Sequence, residues 1–457
     1  MAIRQQPDGG PQQPVLSLGA VREATGPAAV RAFVEANVLP GSGWSLESIS
    51  QRSVRLEPPW SYWAVYRVRV EREGERRDLR LVARAAFDEA AWVDYRDGSL
   101  APHLGRPCDP LRGVGYPVAY DETQHAFWFY PFDPALPSLP AVADPSRMLR
   151  FFRERKQLLA RPGRVSRVDV ERVRYLPEQS AILRYTPLTE PAAAARAVYG
   201  KVEPGGRGER VDEFMRELWR LAAGSGGTLR VPEPLGFDRD LGLFLQEEVD
   251  GEAVGGDRTA PEFAAAAEAA AGALATIHDA RLPATDELAI DDDIAQLDGV
   301  LDQFALVDPD AFRLLRQLLS HVRARLGRTP PEERVPTHGD FKYDQLLHHE
   351  GRFTVIDFEF FGVGETSYDL ARFCAHLVPS RPRSFEDSAA GEDARTRFLA
   401  RYRELRPEAA LHRFPIYEAV DLATRSMVMM WSQDEGWQAA AEALLVLAME
   451  RLQEEAP

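Results

Sequence analysis

Cysteine is nearly absent: Cys108 and Cys374 are the only two in 457 residues. Two thiols so far apart make neither a disulfide framework nor a metal cluster, so the expected compartment is a reducing cytoplasm. Positive charge is also short, with 55 Lys and Arg against 71 Asp and Glu and a formal net charge of −16. Neutralising nucleic-acid phosphates needs clustered cations, so no nucleic-acid partner is expected. A cationic partner remains compatible with this balance. Long apolar runs are missing too. The alanine-rich stretch from Phe263 to Ile277 is short and carries Glu268, which makes it a buried helix and leaves no membrane partner. The beginning, residues 1–20, lacks the apolar core of a signal peptide, and its Gln, Pro and Gly content reads as a disordered tail.

What is present is ample core material, with 45% hydrophobic and 28% charged residues. The length suits two to four units of about 100–200 residues each. The most informative stretch runs from Thr337 to Phe361. It reads as a loop, a strand at Leu346-Leu347, a four-residue connection at His348–Gly351, and a second strand from Phe353 to Ile356. Such a hairpin returns Asp357 to the rim that carries Asp340, Lys342 and Gln345. One carboxylate there can accept the proton of an attacking hydroxyl. A second carboxylate and an amide oxygen can hold magnesium on nucleotide phosphates, a hard cation that takes oxygen ligands. The pair His348-His349 has no partners at zinc spacing and reads as turn residues.

His338, Asp340 and Gln345 resemble the kinase catalytic loop H-x-D-x-x-x-x-N, with Gln in place of Asn. His338-Gly339-Asp340, Ile356-Asp357-Phe358-Glu359 and Tyr368-Asp369-Leu370-Ala371 resemble the aminoglycoside phosphotransferase and choline kinase superfamily. Maltokinase-like members share the glutamine and the I-D-F-E string. The resemblance implies a protein-kinase-like, two-lobe α+β fold. It implies Asp340 as the group that orients and deprotonates the acceptor, His338 as a brace, and Asp357 and Gln345 as magnesium ligands. Lys342 matches a lysine of Ser/Thr protein kinases and would reach the γ-phosphate. Asp369 would support the loop by hydrogen bonding.

The same resemblance assigns residues 165–251 to an ATP-binding small lobe and 252–457 to a helical large lobe. Strands are expected at Val170–Tyr175, Ala181–Tyr185, Ala197–Val202, Leu235–Phe237 and Leu243–Val249, with a helix over Glu209–Ala223. Lys201 would hold the α/β-phosphates of ATP (or GTP) and pair with Glu217, with Glu213 as runner-up. The turn Tyr175–Ser180 contains no glycine, so phosphate contacts would come from Ser180 and backbone amides. Gln246, Glu247 and Glu248 would form the hinge against the purine.

Residues 26–150 form an extra N-terminal lobe, with a helix from Pro27, strands at Trp63–Val70, Leu79–Ala83 and Ala126–Tyr130, and a helix near 87–94. Several of its residues precede counterparts in the small lobe by a constant 117 positions. Ala64-Val65-Tyr66-Arg67 precedes Ala181-Ile182-Leu183-Arg184, and Arg84 falls on Lys201 while Leu100 falls on Glu217. A degenerate repeat of the small lobe is one account, and convergence of two unrelated hairpin units is the other. The acceptor is expected to be a small-molecule hydroxyl on a sugar, amino sugar or aminoglycoside. A Ser/Thr of a peptide, and a nucleotide-binding pseudokinase without turnover, are the alternatives. Asp291-Asp292-Asp293 reads as a solvated helix cap, and Trp431 with Trp437 as either a ligand-facing cluster or a helix end.

Overall fold

The computed structural model describes residues 26–57, 61–86, 89–104, 106–108, 114–116, 118–121, 124–158, 163–190, 196–255, 257–282, 286–379, 385–432 and 434–457. The tail expected over residues 1–20 lies outside them.

After helix α1 (Pro27–Phe33) the chain lays down β1 (Ser45–Glu57), β2 (Ser61–Arg72) and β3 (Glu75–Ala86) as an antiparallel meander. Glu73 and Gly74 turn β2 into β3, both at positive φ (52° and 84°), the twist that suits a two-residue hairpin. Helix α2 (Glu89–Tyr95) follows, then β4 (Val118–Tyr120) and β5 (His125–Phe129), and the sheet order is β1-β2-β3-β5-β4. Helix α3 (Pro145–Glu154), capped by Asp144 through the N–H groups of Ser146 and Arg147, leads to the next sheet.

The second sheet comprises β6 (Arg164–Leu176), β7 (Ser180–Glu190), β8 (Val198–Val202), β9 (Pro234–Asp238) and β10 (Leu243–Glu247). Its order, β6-β7-β8-β10-β9, repeats that of the first. Helix α4 (Arg207–Gly224) follows β8 as α2 follows β3. Pairing registers are close to the 117-residue offset. Arg84 pairs with Trp63 and Ala126, and Lys201 pairs with Ile182 and Phe244, slips of two residues and one. Trp128, Phe129, Leu139, Phe152, Tyr185 and Leu243 belong to one apolar core that spans both sheets and α3. The two sheets are therefore welded by burial, the dominant favourable term in packing.

Beyond Gly251 the chain is helical: α5 (Pro261–His278), α6 (Ile290–Gly299), α7 (Pro309–Leu326), α8 (Ser367–Leu377), α9 (Phe385–Leu405), α10 (Phe414–Ser432) and α11 (Trp437–Arg451). Between α7 and α8 lie β11 (Arg334–Thr337), β12 (Leu346–His349), β13 (Arg352–Val355) and β14 (Gly362–Glu365). The buried face of α4, at Val211, Phe214, Met215 and Leu218, joins this helical core. Strand β1 packs on α10, so the N-terminal lobe also touches the large lobe. No helix among the described residues is long and apolar enough to cross a membrane.

Candidate active site

Strand β11 delivers Thr337 into a loop whose backbone is held from below. Asp369, fully buried at the start of α8, accepts the N–H of His338 at 2.6 Å and of Gly339 at 2.9 Å. Gly339 has φ +86°, and a Cβ there would lie 2.0 Å from the carbonyl oxygen of Phe360, so only glycine fits. His338 is fully buried, with Nε2 3.1 Å from the Ile356 carbonyl oxygen and its ring against Phe341 and Phe358. Asp340 faces outward from this frame. Its Oδ2 lies 2.6 Å from Lys342 Nζ and accepts Gln345 Nε2 at 3.0 Å, while Gln345 Oε1 accepts the Lys342 N–H at 3.1 Å. The glutamine amide thus ties the two ends of the loop together.

The hairpin is tighter than the four-residue connection expected. His349 pairs with Arg352, leaving Glu350 and Gly351 as the turn, both at positive φ. Asp357, at φ +71°, follows Ile356 back at the rim. Lys201 on β8 reaches across to it, Nζ to Oδ1 at 3.4 Å, and also contacts Glu203 at 3.4 Å and Glu359. Residues 201 and 203 share a strand face, and 357 and 359 flank the buried Phe358.

Lys201 is not paired with Glu217. That carboxylate stands on the solvent face of α4, bonded to Arg220, and Glu213 is exposed beside it. The helix places Val211 and Met215 toward Lys201 instead, because 211, 214, 215 and 218 form its buried stripe. Of the expected hinge, Gln246 lines the cavity around Lys201, whereas Glu247 and Glu248 turn to Arg196 and Arg184. Their N–H groups are spent on the carbonyls of Glu233 and Ala197. Ser180 opens β7 and lines a different, outer cavity.

Two adjoining cavities meet at this cluster. An inner one of about 290 Å³ is floored by Gln345, Ile356 and Asp357 and walled by Ile182, Tyr199, Met215 and Phe244. An outer one of about 780 Å³ contains Asp340 and is bounded by Ser180, Phe360 and Trp431, with Arg55 and Trp63 of the first lobe. Arg174, Glu203, Lys342, Asp357 and Glu359 border both. Arg372 donates to the Gly339 carbonyl at 2.5 Å and to Asp421 at 2.8 Å, with Asp293 at 3.6 Å. Burial pushes the Asp421 carboxyl up to about 7 and the Asp293 carboxyl up as well, against the pull of Arg372. Asp293 is accordingly a buried partner of the loop support, and only Asp291 and Asp292 form the solvated cap.

Sequence reasoning missed Glu203, Arg174 and Arg372. The i, i+2 spacing of Lys201 and Glu203 was a usable signal. The other two act through tertiary contacts that no local pattern marks.

Residues 192–410 match the model of the phosphotransferase enzyme family. No curated protein matches the sequence. Among solved structures, the chain is similar to a choline/ethanolamine kinase family protein from Mesorhizobium loti, at 15% identity and a TM-score of 0.44, over 63% of this chain and 88% of that one. It is similar to aminoglycoside phosphotransferase APH(4)-Ia, at 18% identity and a TM-score of 0.45, over 66% and 98%. The third is choline kinase LicA from Streptococcus pneumoniae, at 16% identity and a TM-score of 0.43, over 66% and 99%.

Proposed function

We propose that this phosphotransferase-family chain is an ATP- or GTP-dependent kinase that phosphorylates a hydroxyl of a small molecule. The carrying observation is the pair of cavities that share Lys342, Asp357 and Glu359 as a common border, with Asp340 on the outer side and Lys201 on the inner. A nucleotide base fits between Ile182, Met215 and Phe244, and its phosphates then lie against Lys201 and Arg174. An acceptor hydroxyl entering from the outer side meets the Asp340 carboxylate, which takes its proton as the oxygen bonds to the terminal phosphorus and the bridging oxygen leaves with the nucleoside diphosphate. Lys342, held at 2.6 Å from Asp340, supplies positive charge where the phosphoryl group crosses. Asp357, Glu359 and the second lone pair of the Gln345 amide oxygen are the ligands that would hold magnesium. An all-oxygen set suits that hard cation, which would neutralise phosphate charge. His338 and Asp369 keep the loop in register. The buried free Cys374 agrees with the cytoplasmic compartment we assign.

The test is ADP release with a panel of sugars, amino sugars and aminoglycosides. Asp340→Ala is expected to lower turnover by about 10³-fold while Mg–ATP affinity stays within about threefold. Wild-type turnover retained in that variant would remove the assignment. The double hydrogen bonding of Gln345 favours a second reading, a nucleotide binder without turnover. That reading expects Mg–ATP binding with no ADP release for any acceptor, peptides included.

A further inference from the structure

The N-terminal lobe is fastened to the β6–β7 turn of the second sheet, which lines the outer cavity. Tyr175 OH donates to Asp133 Oδ2 at 2.7 Å, and the Glu178 N–H donates to the same oxygen at 2.8 Å. Asp133 is fully buried, and its other oxygen accepts the Ala135 N–H at 2.9 Å. Trp128 Nε1 donates to Tyr175 OH at 3.0 Å, Arg84 pairs with Glu178 at 3.4 Å, and Arg55 donates to Gln179 at 3.4 Å. Residues 176–180, where no glycine provides mobility, are therefore held from the first lobe as well as by the Leu176–Ser180 pairing of their own hairpin.

The same lobe closes the outer cavity. Arg55 on β1 stands with its guanidinium 5.3 Å from the centre of the Trp431 ring, bridging the first lobe to the large lobe, and Trp63 on β2 lines the wall behind it. The charges around this cavity are sorted. Its carboxylates sit at the inner end and are engaged there: Glu203, Asp357 and Glu359 with Lys201, and Asp340 with Lys342. The remaining wall carries Arg55 and Arg207, with Arg372 held by Asp421, while Arg174 stands at the border of the two cavities beside the carboxylates. Arg174 makes no ion pair among the described residues, and Arg207 lies 5.7 Å over the Phe360 ring. A volume of about 780 Å³ is of ligand size, within the usual range of roughly 300–1,000 Å³.

We propose that the N-terminal lobe completes the acceptor site, and that the acceptor held between Arg55, Arg207 and Asp340 is a non-cationic polyhydroxylated molecule of sugar or sugar-acid type. Guanidinium groups donate to hydroxyl, carboxylate and phosphate oxygens and accept nothing. Ammonium groups on an acceptor would face them without a partner. This inference rests on the phosphotransfer reading above and narrows its substrate class.

The experiment uses the full chain and compares acceptor KM and kcat for a neutral disaccharide, a sugar acid and kanamycin. The wild-type protein is expected to turn over the best neutral or acidic acceptor with a kcat/KM about tenfold or more above that of kanamycin. Arg55→Glu is expected to raise the KM for that acceptor about tenfold, and Arg55→Lys to recover most of the loss. Melting temperature and Mg–ATP binding serve as controls for folding. Arg207→Glu, on the exposed rim, repeats the test at a site where folding is not at stake. Kanamycin as the best acceptor, or an acceptor KM that stays within about twofold in both glutamate variants, overturns the proposal. Failure of the phosphotransfer reading looks different, because it appears as no ADP release with any acceptor, or as turnover that survives Asp340→Ala, in a protein whose N-terminal lobe is intact.

Discussion

The first sheet, β1–β5, and the second, β6–β10, run in the same strand order, each with a helix after its third strand, yet the inner cavity, the slot we propose for the nucleotide, is walled by the second. In the second sheet that helix, α4, runs regularly for 18 residues, whereas its counterpart α2 has 7 before it passes into a π-helical turn over Arg96–Leu100. Gly200 sits beside Lys201, and a Cβ there would come within 2.6 Å of Tyr185 and 2.9 Å of Leu243. The position 117 residues earlier is Ala83, already carrying that Cβ. Arg84, where Lys201 would be, lies 5.4 Å over the Tyr95 ring and pairs with Glu178 of the β6–β7 turn. The strand order supports reading the first lobe as a degenerate copy. The difference teaches that a slot depends on a few small positions and on one cation aimed into the cavity. Once those are filled, the same scaffold serves as a support.

The largest effect should separate the two cations. Lys201→Ala is expected to reduce kcat/KM for ATP by about 10²-fold, in line with loss of one transition-state donor, whereas Arg84→Ala should stay within about fivefold. Equal losses would break the comparison. Gly200→Val should destabilise by about 1–3 kcal/mol in urea unfolding, because the added atoms overpack against Tyr185. The equivalent Ala83→Gly should cost about 1 kcal/mol or less. Tyr175→Phe deletes the hydroxyl between Trp128 and Asp133. A loss of about 1–2 kcal/mol is expected, together with a higher acceptor KM if the turn loosens. Glu217→Ala should be nearly silent, within about 0.5 kcal/mol and with unchanged turnover, since its carboxylate meets only Arg220 on the surface. A Glu217 variant with a kinetic defect would overturn its placement on the solvent face of α4.

The fate of Glu217 also shows how far sequence carries. The loop at 338–345 and its hairpin were legible because their residues are neighbours in the chain, and their spacing encodes contacts between Asp340, Lys342 and Gln345. Glu217 was chosen by its local string, while the apolar stripe at 211, 214, 215 and 218 already placed it on the opposite face. Strand β1 escaped notice for another reason. Its apolar residues, Leu46, Ile49, Val54 and Leu56, change parity along the strand, and register shifts fall between Leu46 and Ser48 and between Gln51 and Ser53. Alternation is lost wherever a bulge inserts a residue. The supports from Asp369, Arg372 and Asp133 join elements 30 or more residues apart, beyond any local pattern.

The shared core of the two sheets has a mechanical consequence. Sheets welded by Phe129, Phe152 and Tyr185 tilt together, and the backbone passes from them to the helical lobe through residues 248–251. Gly251 there has φ +137°, with His348 backbone within 2.8 Å of a would-be Cβ. Because Arg55 rides on this ten-stranded beam and Trp431 on the helical lobe, any tilt of one against the other would part the two side chains, which makes the pair a latch at the end of the beam far from Gly251.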